Sequence, residues 1–450
     1  MREAVPSFVR QLRAVADGAF FKNVAAMFAG TLATQVLNVA VAPVLTRLFS
    51  PEAFGGYGVF NYIMALLTPF AALCYPLAII LARDMATCMA LVRLCIAVSL
   101  AVALAVLCVV WFGIDYLIMI PGTAVVGPFL HLLPLAVLSS GLMQTAQYWA
   151  MRQETFGPLA YASSLHSLLI NGLRVGAGIV VPTAGALISI AATAPSVLAA
   201  MIVWKASRPA PVLAVDAPGP ARQLPLTDMW QAARTFRAFP LFRVPQNVIR
   251  AAAFGVPLIF LAHYADAAAA GHYTLAMQAL MLPSQLIGVA IANVFYARLA
   301  KVASEGEQAR QLRRITLLMA GIGALPHLVV MMFGPGMFAF VFGEAWRPSG
   351  ELARWMSPWL FIAFCSLPSL VAVPVLGLER LLLGWEVANV MVAGAVLYLG
   401  FSYGFGTVAV MQIFSCFAAI MSVAFMIAVL SSAERAARAV PGGAKDDASN

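Results

Sequence analysis

The sequence predicts an all-α polytopic membrane protein of about 12 transmembrane helices, in two six-helix bundles related by a parallel repeat. The first observation is composition: of 450 residues, 62% are hydrophobic and only 10% are charged, with a mean hydropathy of +0.91. One water-soluble core cannot bury that much apolar surface, which excludes a soluble protein. The second observation is the length of the apolar runs, each near the roughly 20 residues that cross a bilayer.

The apolar runs fall into two sets of six. Those of the first set lie near residues 23–45, 55–81, 91–112, 127–150, 159–181 and 184–204. Those of the second set lie near residues 240–263, 271–297, 315–334, 356–377, 381–403 and 406–430. These runs define the expected spans, numbered 1 to 12 in chain order.

The segments outside the spans give the expected domain organisation. Residues 205–239 hold five prolines among five basic residues, which predicts a cytoplasmic linker between two bundles. The first 22 residues are too charged to span and lack a cleavage site for a signal peptidase, so they predict an interfacial helix. The expected parts are listed in order: 1–22 interfacial segment, 23–204 N-terminal bundle, 205–239 linker, 240–430 C-terminal bundle, 431–450 cytoplasmic tail.

The basic residues indicate the topology. With the amino terminus inside, 21 Lys and Arg residues fall in cytoplasmic segments or at their edges and 3 in external loops. The positive-inside rule therefore predicts that both termini are cytoplasmic.

An internal repeat relates the two halves. Spans 1 and 7 each carry a late proline, Pro43 and Pro257, and both lead into a glycine-aromatic start of the next span. Gly55-Gly56-Tyr57 corresponds to Gly271-His272-Tyr273, an offset of 216 residues. Six helices return the chain to its starting side, so two copies would be parallel repeats with a substrate path between them.

The motifs of several enzyme classes are missing. The chain has no G-x-x-x-x-G-K-[ST] phosphate loop, no G-x-S-x-G nucleophile turn and no C-x-x-C pair, and its five histidines lack the spacing of metal ligands. The sequence therefore predicts a protein that is not an enzyme and holds no metal or cofactor, with coupling to H⁺ or Na⁺ left open.

Charge inside the spans is almost wholly positive. Arg174, Arg243 and Arg250 lie within spans, whereas Glu386 is the one acidic residue that could, near the start of span 11. An ionisable group in the membrane is a functional candidate by default. On span 7, Arg243, Gln246, Asn247 and Arg250 follow the spacing i, i+3, i+4 and i+7, which places them on one helical face.

Span 5 supplies a second polar group. Asn171 and Arg174 are three residues apart on one face, and Gly172 and Gly176 suggest that another backbone approaches there. The six polar residues of spans 5 and 7 predict an anion-binding cavity, because guanidinium groups bind phosphate and carboxylate oxygens in bidentate geometry. The alternative is that Arg243 snorkels to the surface and Arg174 bonds backbone carbonyls. The pairs Gln35/Asn38 and Gln144/Gln147 favour hydrogen bonds between helices over substrate contact.

Five stretches of the chain resemble a known family, the O-antigen and exopolysaccharide flippases, in the superfamily that also contains multidrug antiporters. The stretches are PVLTRLFSPEAFGGYGVF (43–60), YPLAIILARD (75–84), FRAFPLFRVPQ (236–246), LPSQLIGVAIANVFYARLA (282–300) and VFGEAWRPSGELARWMSPWLF (341–361). They occur in the family's order, and the range from the first to the last, 43–361, takes in most of the chain.

The resemblance implies two six-helix bundles that carry an undecaprenyl-pyrophosphate-linked oligosaccharide from the cytoplasmic to the external leaflet of the bacterial cytoplasmic (inner) membrane. It implies as partners this lipid-linked substrate, membrane lipids, a polysaccharide polymerase and glycosyltransferases, and no nucleic acid. One position departs from the family, because Pro76 stands where an acidic residue is expected after Tyr75. Two alternatives stay open: an ion-coupled multidrug antiporter, and a non-transporting membrane subunit of a polysaccharide synthesis complex.

Overall fold

The computed structural model describes residues 18–82, 84–153, 155–206, 226–288, 295, 299 and 305–439. The segment 1–17, most of the expected linker (207–225) and the end of the tail (440–450) lie outside the described residues. Within the described part the chain forms helices and turns and no strand.

The helices before residue 207 are joined by short loops and turns, with a 3₁₀ segment, Ala124–Leu132, leading into α5. In chain order they are α1 (Gly18–Leu48), α2 (Pro51–Ala71), α3 (Pro76–Ile79), α4 (Met85–Met119), α5 (Leu133–Arg152), α6 (Phe156–Val180) and α7 (Ala184–Ala206).

The helices after residue 225 begin within the expected linker, with a short amphipathic helix, α8 (Leu226–Thr235), and a π-helical turn, Phe239–Arg243. They continue as α9 (Val244–Tyr264), α10 (Ala267–Pro283), α11 (Glu305–Phe342), α12 (Arg347–Cys365), α13 (Leu367–Leu376), α14 (Glu379–Ser402) and α15 (Thr407–Ala439).

Each of the twelve expected spans has a helix at its position, which confirms the all-helical membrane fold. Within the described residues, 8 helical segments are long and apolar enough to cross a bilayer. They are Met85–Met119, Ala124–Arg152, Ala184–Trp204, Phe239–Tyr264, Gly306–Phe342, Glu344–Leu376, Glu379–Ser402 and Thr407–Arg435.

Two helices start at an aspartate that caps the first turn. Asp84 Oδ1 accepts a hydrogen bond of 2.7 Å from the backbone N–H of Thr87, and Asp266 Oδ1 accepts one of 2.6 Å from that of Ala269. These bonds satisfy N–H groups that have no partner inside the helix. The caps fix the residues at which α4 and α10 begin after the preceding loops.

Span 2 is broken. α2 ends at Ala71, and Leu73 and Cys74 follow with φ angles of 49° and 56°. These are left-handed angles, which cost a non-glycine residue roughly 1–2 kcal/mol. The chain then resumes as α3 at Pro76. The prediction of one continuous span over 55–81 is therefore wrong between the end of α2 and the start of α3, where the chain turns a corner beside Tyr75.

Contacts divide the chain into two compact units. The first runs up to Phe49 and takes in Phe60–Ile120 and Val126–Val248, while the second takes in Ser50–Val59, Pro121–Val125 and the chain from Ile249 onward. One core of the first unit packs Tyr75, Ile79 and Leu91 with Ala232 of α8. A core of the second unit packs Phe295, Leu312, Leu382 and Phe425.

The repeat appears inside the second unit as a reciprocal contact between α2 and α10. A Cβ atom on Gly55 would overlap the carbonyl oxygen of Ala267, and one on Gly271 would overlap the carbonyl oxygen of Pro51. Each Cβ would also lie 3.0–3.1 Å from the backbone nitrogen of the opposite glycine. Both pairs of equivalent positions differ by 216 residues, so the contact is self-complementary, as a two-fold relation between repeats requires.

Candidate functional site

The polar row predicted on span 7 begins in the π-helical turn that leads into α9. Arg243 is exposed, and its Nη1 donates a hydrogen bond of 3.3 Å to Oε1 of Gln246. Prolines at 240 and 245 disturb regular i to i−4 bonding here, which is where wider turns form. The first pair of the row is therefore tied together on its own segment.

Asn247 lies one position further and faces the corner in span 2. Its Nδ2 donates a hydrogen bond of 3.6 Å to Sγ of Cys74. The thiol of Cys74 in turn donates to the carbonyl oxygen of Pro69, at 3.7 Å. Cys74, whose backbone is left-handed, thus contacts the predicted site residue Asn247 within the first unit.

Arg250 forms an ion pair with the membrane carboxylate that the sequence left unplaced. Its Nε lies 3.6 Å from Oε1 of Glu386, in the second unit. The Glu386 side chain is 5% exposed and that of Arg250 is 45% exposed. Glu386 belongs to α14, inside the segment Glu379–Ser402 that is apolar enough to span.

Asn171 of α6 is buried and bonds to α1. Its Nδ2 donates to Oδ1 of Asn38 at 2.7 Å and to Oγ of Ser167 at 3.3 Å, and Ser167 Oγ donates to the same Asn38 oxygen at 3.2 Å. Asn38 Nδ2 donates to Oε1 of Gln35, at 3.4 Å. The expectation that Asn38 serves hydrogen bonding between helices is confirmed. Gln144 behaves likewise, since its Nε2 donates to the carbonyl oxygen of Thr68 at 3.4 Å.

Arg174 lies one turn beyond Asn171 on α6 and is half-buried. The predicted close approach of another backbone at Gly172 and Gly176 is wrong, because a Cβ at either position would meet nothing within 4 Å. The tight glycine of α6 is Gly178, whose Cβ would lie 2.8 Å from the ring of Phe49 and 2.9 Å from Leu48 Cβ. The small-residue spacing indicated the correct helix but the wrong face.

The six predicted site residues are distributed over both units. Asn171, Arg174, Arg243, Gln246 and Asn247 belong to the first unit and Arg250 to the second. A cavity of about 560 Å³ in the first unit and one of about 530 Å³ in the second contain none of the six in their linings. A common cavity for Arg174 and Arg250 stays a prediction.

Two partners of the predicted residues were missed in the sequence. Glu386 was noted only as an acid of unknown depth, although its isolation in an apolar run was a usable signal. Cys74 gave no signal, since nothing in its neighbours predicts a left-handed turn. Among the described residues no group of three or more His, Cys, Asp or Glu side chains could hold a metal ion.

Solved transporters share this fold. An inward-facing multidrug resistance MATE family transporter of the MOP superfamily matches with a TM-score of 0.69 at 13% identity, covering 90% of this chain and 96% of that one. The lipid II flippase MurJ, in an inward closed conformation, matches with a TM-score of 0.66 at 9% identity, covering 93% and 90%. At these identities the likeness shows the fold alone.

A third structure, a MOP superfamily transporter from Pyrococcus furiosus Vc1 described as having a binding pocket of reverse polarity, matches with a TM-score of 0.56 at 14% identity, covering 91% of this chain and 94% of that one. No curated protein matches the sequence.

Residues 44–351 match the family described as polysaccharide biosynthesis protein. That stretch is more than half of the chain, so the protein belongs to this family. The resemblance to polysaccharide flippases is confirmed at the level of the family and of the MOP superfamily fold.

Proposed function

We propose that the protein moves an undecaprenyl-pyrophosphate-linked oligosaccharide from the inner to the outer leaflet of a bacterial cytoplasmic membrane, for O-antigen, capsule or exopolysaccharide synthesis. Membership of a polysaccharide biosynthesis family supports the glycan as cargo. The fold shared with a lipid II flippase supports a lipid-linked form of that cargo.

The observation that carries the proposal is the half-exposed side chain of Arg250 within an apolar helix. The segment Phe239–Tyr264 has the length and composition of a membrane span, and Arg250 lies near its middle. A cation at that depth is expensive unless it has a function or a partner. Glu386 offsets part of its charge while 45% of the arginine side chain stays accessible, so an anionic ligand can reach it.

In this proposal Arg250 and Arg174 contact the pyrophosphate, and Arg243 stands at the cytoplasmic mouth of the path. Gln246, Asn247 and Asn171 supply uncharged polar groups beside these cations. Guanidinium groups suit this substrate because their paired N–H donors match phosphate oxygens. The sugar part needs a wet path that opens to one side at a time, as the parallel-repeat architecture allows.

A complementation experiment tests the function. A bacterial strain that lacks its own oligosaccharide flippase is given the wild-type chain or the double variant Arg174→Gln, Arg250→Gln. We expect export with the wild type, and loss of export with the double variant although it inserts to the same level. Arg380→Gln is the control, because it removes one exposed arginine outside the site. Wild-type export by the double variant would overturn the proposed role of the two arginines.

The second candidate is an ion-coupled multidrug antiporter, which the buried carboxylate of Glu386 and the MATE-like fold favour. An antiporter for cationic drugs needs an acidic group that the drug or ion can reach. Drug resistance assays separate the two functions. Resistance that depends on Glu386 in a strain with no polysaccharide phenotype would favour the antiporter over the flippase.

A further inference from the structure

The ion pair between Arg250 and Glu386 is loose. Its closest atoms, Arg250 Nε and Glu386 Oε1, are 3.6 Å apart, whereas a hydrogen bond from nitrogen to oxygen spans 2.7–3.2 Å. The second oxygen of Glu386, Oε2, is buried and has no hydrogen-bond partner in the described part of the chain. The carboxylate therefore attracts the guanidinium without the paired hydrogen bonds that make such contacts strong.

The two partners differ in how they are held. Glu386 is buried on α14, and the neighbouring Trp385 fixes that turn by donating from Nε1 to the carbonyl oxygen of Met421, at 3.1 Å. The rings of Trp385 and Phe425 also pack, with centroids 4.7 Å apart. Arg250 has a long side chain that is 45% exposed. The acid is thus the fixed member of the pair and the arginine the adjustable one.

The geometry of the contact leaves the arginine's better donors for another ligand. The atom of Arg250 nearest to Glu386 is Nε, so the terminal Nη1 and Nη2 remain for a second anion. A diphosphate offers several charged oxygens and can accept two parallel N–H bonds. The diphosphate would therefore compete for Arg250 with a single carboxylate that makes no such paired bonds.

We propose that Glu386 is a positioning residue that holds Arg250 while the site is empty and gives it up when a diphosphate binds. This inference rests on the proposed function, because it assigns Arg250 to the diphosphate of the cargo. The exchange makes binding weaker than it would be with a free arginine. It also speeds release, because Glu386 recaptures the guanidinium as the cargo leaves.

Binding measurements on the full chain in lipid nanodiscs test the exchange. The probe is geranylgeranyl diphosphate, and geranylgeraniol, which has the same lipid tail without the charge, is the reference ligand. We expect Glu386→Gln to bind the diphosphate about tenfold more tightly than wild type and to release it correspondingly more slowly. Arg250→Gln should lose the preference for the diphosphate. Glu379→Gln is the matched control, since it removes the same charge from an exposed position on the same helix.

The outcomes separate this inference from the proposed function. A wild-type chain that binds both probes equally would contradict the proposed function itself. If the wild type prefers the diphosphate and Arg250→Gln abolishes that preference, but Glu386→Gln leaves affinity and release unchanged, the function stands and the exchange is wrong. A purely structural ion pair predicts that Glu386→Gln lowers thermal stability without tightening binding. Should that variant not fold, Glu386→Asp is the substitute. Its side chain is one methylene shorter, so its carboxylate lies further from Arg250, and the variant should bind the diphosphate more tightly than wild type by a smaller factor.

Discussion

Gly55 and Gly271 occupy equivalent positions in the two repeats and lie backbone to backbone where α2 and α10 cross, with no room for a side chain at either residue. The next equivalent pair continues the contact, because a Cβ on Gly58 would overlap Oγ1 of the buried Thr274. Gly58 and Thr274 also differ by 216 residues. At this second pair, glycine on α2 faces a hydroxyl on α10. The two repeats therefore carry the same residue at the crossing and different residues one turn further along.

Alanine at Gly55 or Gly271 should push the two helices apart. Each methyl group would meet a backbone oxygen, which cannot rotate away as a flexible side chain can. Overpacking of this kind costs about 1–3 kcal/mol. We expect a lower midpoint of thermal unfolding in detergent for both single variants, and reduced polysaccharide export.

Gly172→Ala and Gly176→Ala provide the matched controls for the crossing. Both glycines lie in helix α6, and a Cβ at either meets nothing within 4 Å. Alanine favours a helix over glycine by up to about 1 kcal/mol, so these variants should unfold at the wild-type temperature or above it. Equal behaviour of all four variants would mean that the crossing does not limit stability.

Reporter fusions test the topology that the 21 to 3 charge bias predicts. Alkaline phosphatase, which is active only outside the cytoplasm, should be inactive when fused at Pro218 or after Asn450. The same enzyme inserted near Asp266, in the loop between α9 and α10, should be active. The reverse pattern would mean that the amino terminus is external.

The cap of α4 predicts a dependence of stability on pH. The backbone N–H of Thr87, and then its hydroxyl, hold the pKa of the Asp84 carboxyl below its ordinary value of 3.8. An acid whose pKa falls on folding stabilises the fold above its unfolded pKa, and this contribution disappears as the pH falls through the folded pKa. Below about pH 4, protonation of Asp84 should therefore weaken α4.

Asp84→Asn separates charge from capping in the same helix. Asparagine caps as well as aspartate but does not titrate, so this variant should lose less of its thermal stability on acidification than the wild type. Asp84→Ala removes the cap at every pH and should unfold at a lower temperature at neutral pH as well. An identical acid response of wild type and Asp84→Asn would assign the pH dependence to other groups.

The amphipathic helix α8 is held to the rest of the first unit through Tyr75. The hydroxyl of Tyr75 donates a hydrogen bond of 3.3 Å to the carbonyl oxygen of Ala233. Loss of such a bond costs about 0.5–1.5 kcal/mol, so Tyr75→Phe should loosen α8 and speed tryptic cleavage after Arg234 and Arg237. Tyr116→Phe, at an exposed tyrosine of α4, should leave the cleavage rate unchanged.

Sequence alone sufficed for the helices because each is set by local composition. A run of about 20 apolar residues satisfies its backbone hydrogen bonds only as a helix in a bilayer, so the twelve runs could be found one at a time. The repeat was visible for a related reason. Close backbone contact requires a residue without a Cβ atom at positions 55 and 271, so the glycines Gly55 and Gly271 are visible in the sequence itself.

Contacts between distant parts of the chain could not be found in this way. Arg250 and Glu386 are a recognisable cation and acid, but nothing local to either indicates that α9 and α14 bring them together. Gly172 and Gly176 show the opposite error, since small residues tolerate an open surface as readily as a tight contact. Only the arrangement of neighbouring helices decides between the two.

The corner at Leu73 and Cys74 is built without glycine, although the chain contains 33 glycines. Glycine would reach the same left-handed angles at little cost, and it would also leave them easily. A leucine and a cysteine have only a narrow left-handed region available, bounded by steric overlap with their own backbone. The corner is therefore a rigid turn rather than a hinge, and it keeps the end of α2 and the start of α3 at one fixed angle beside Asn247.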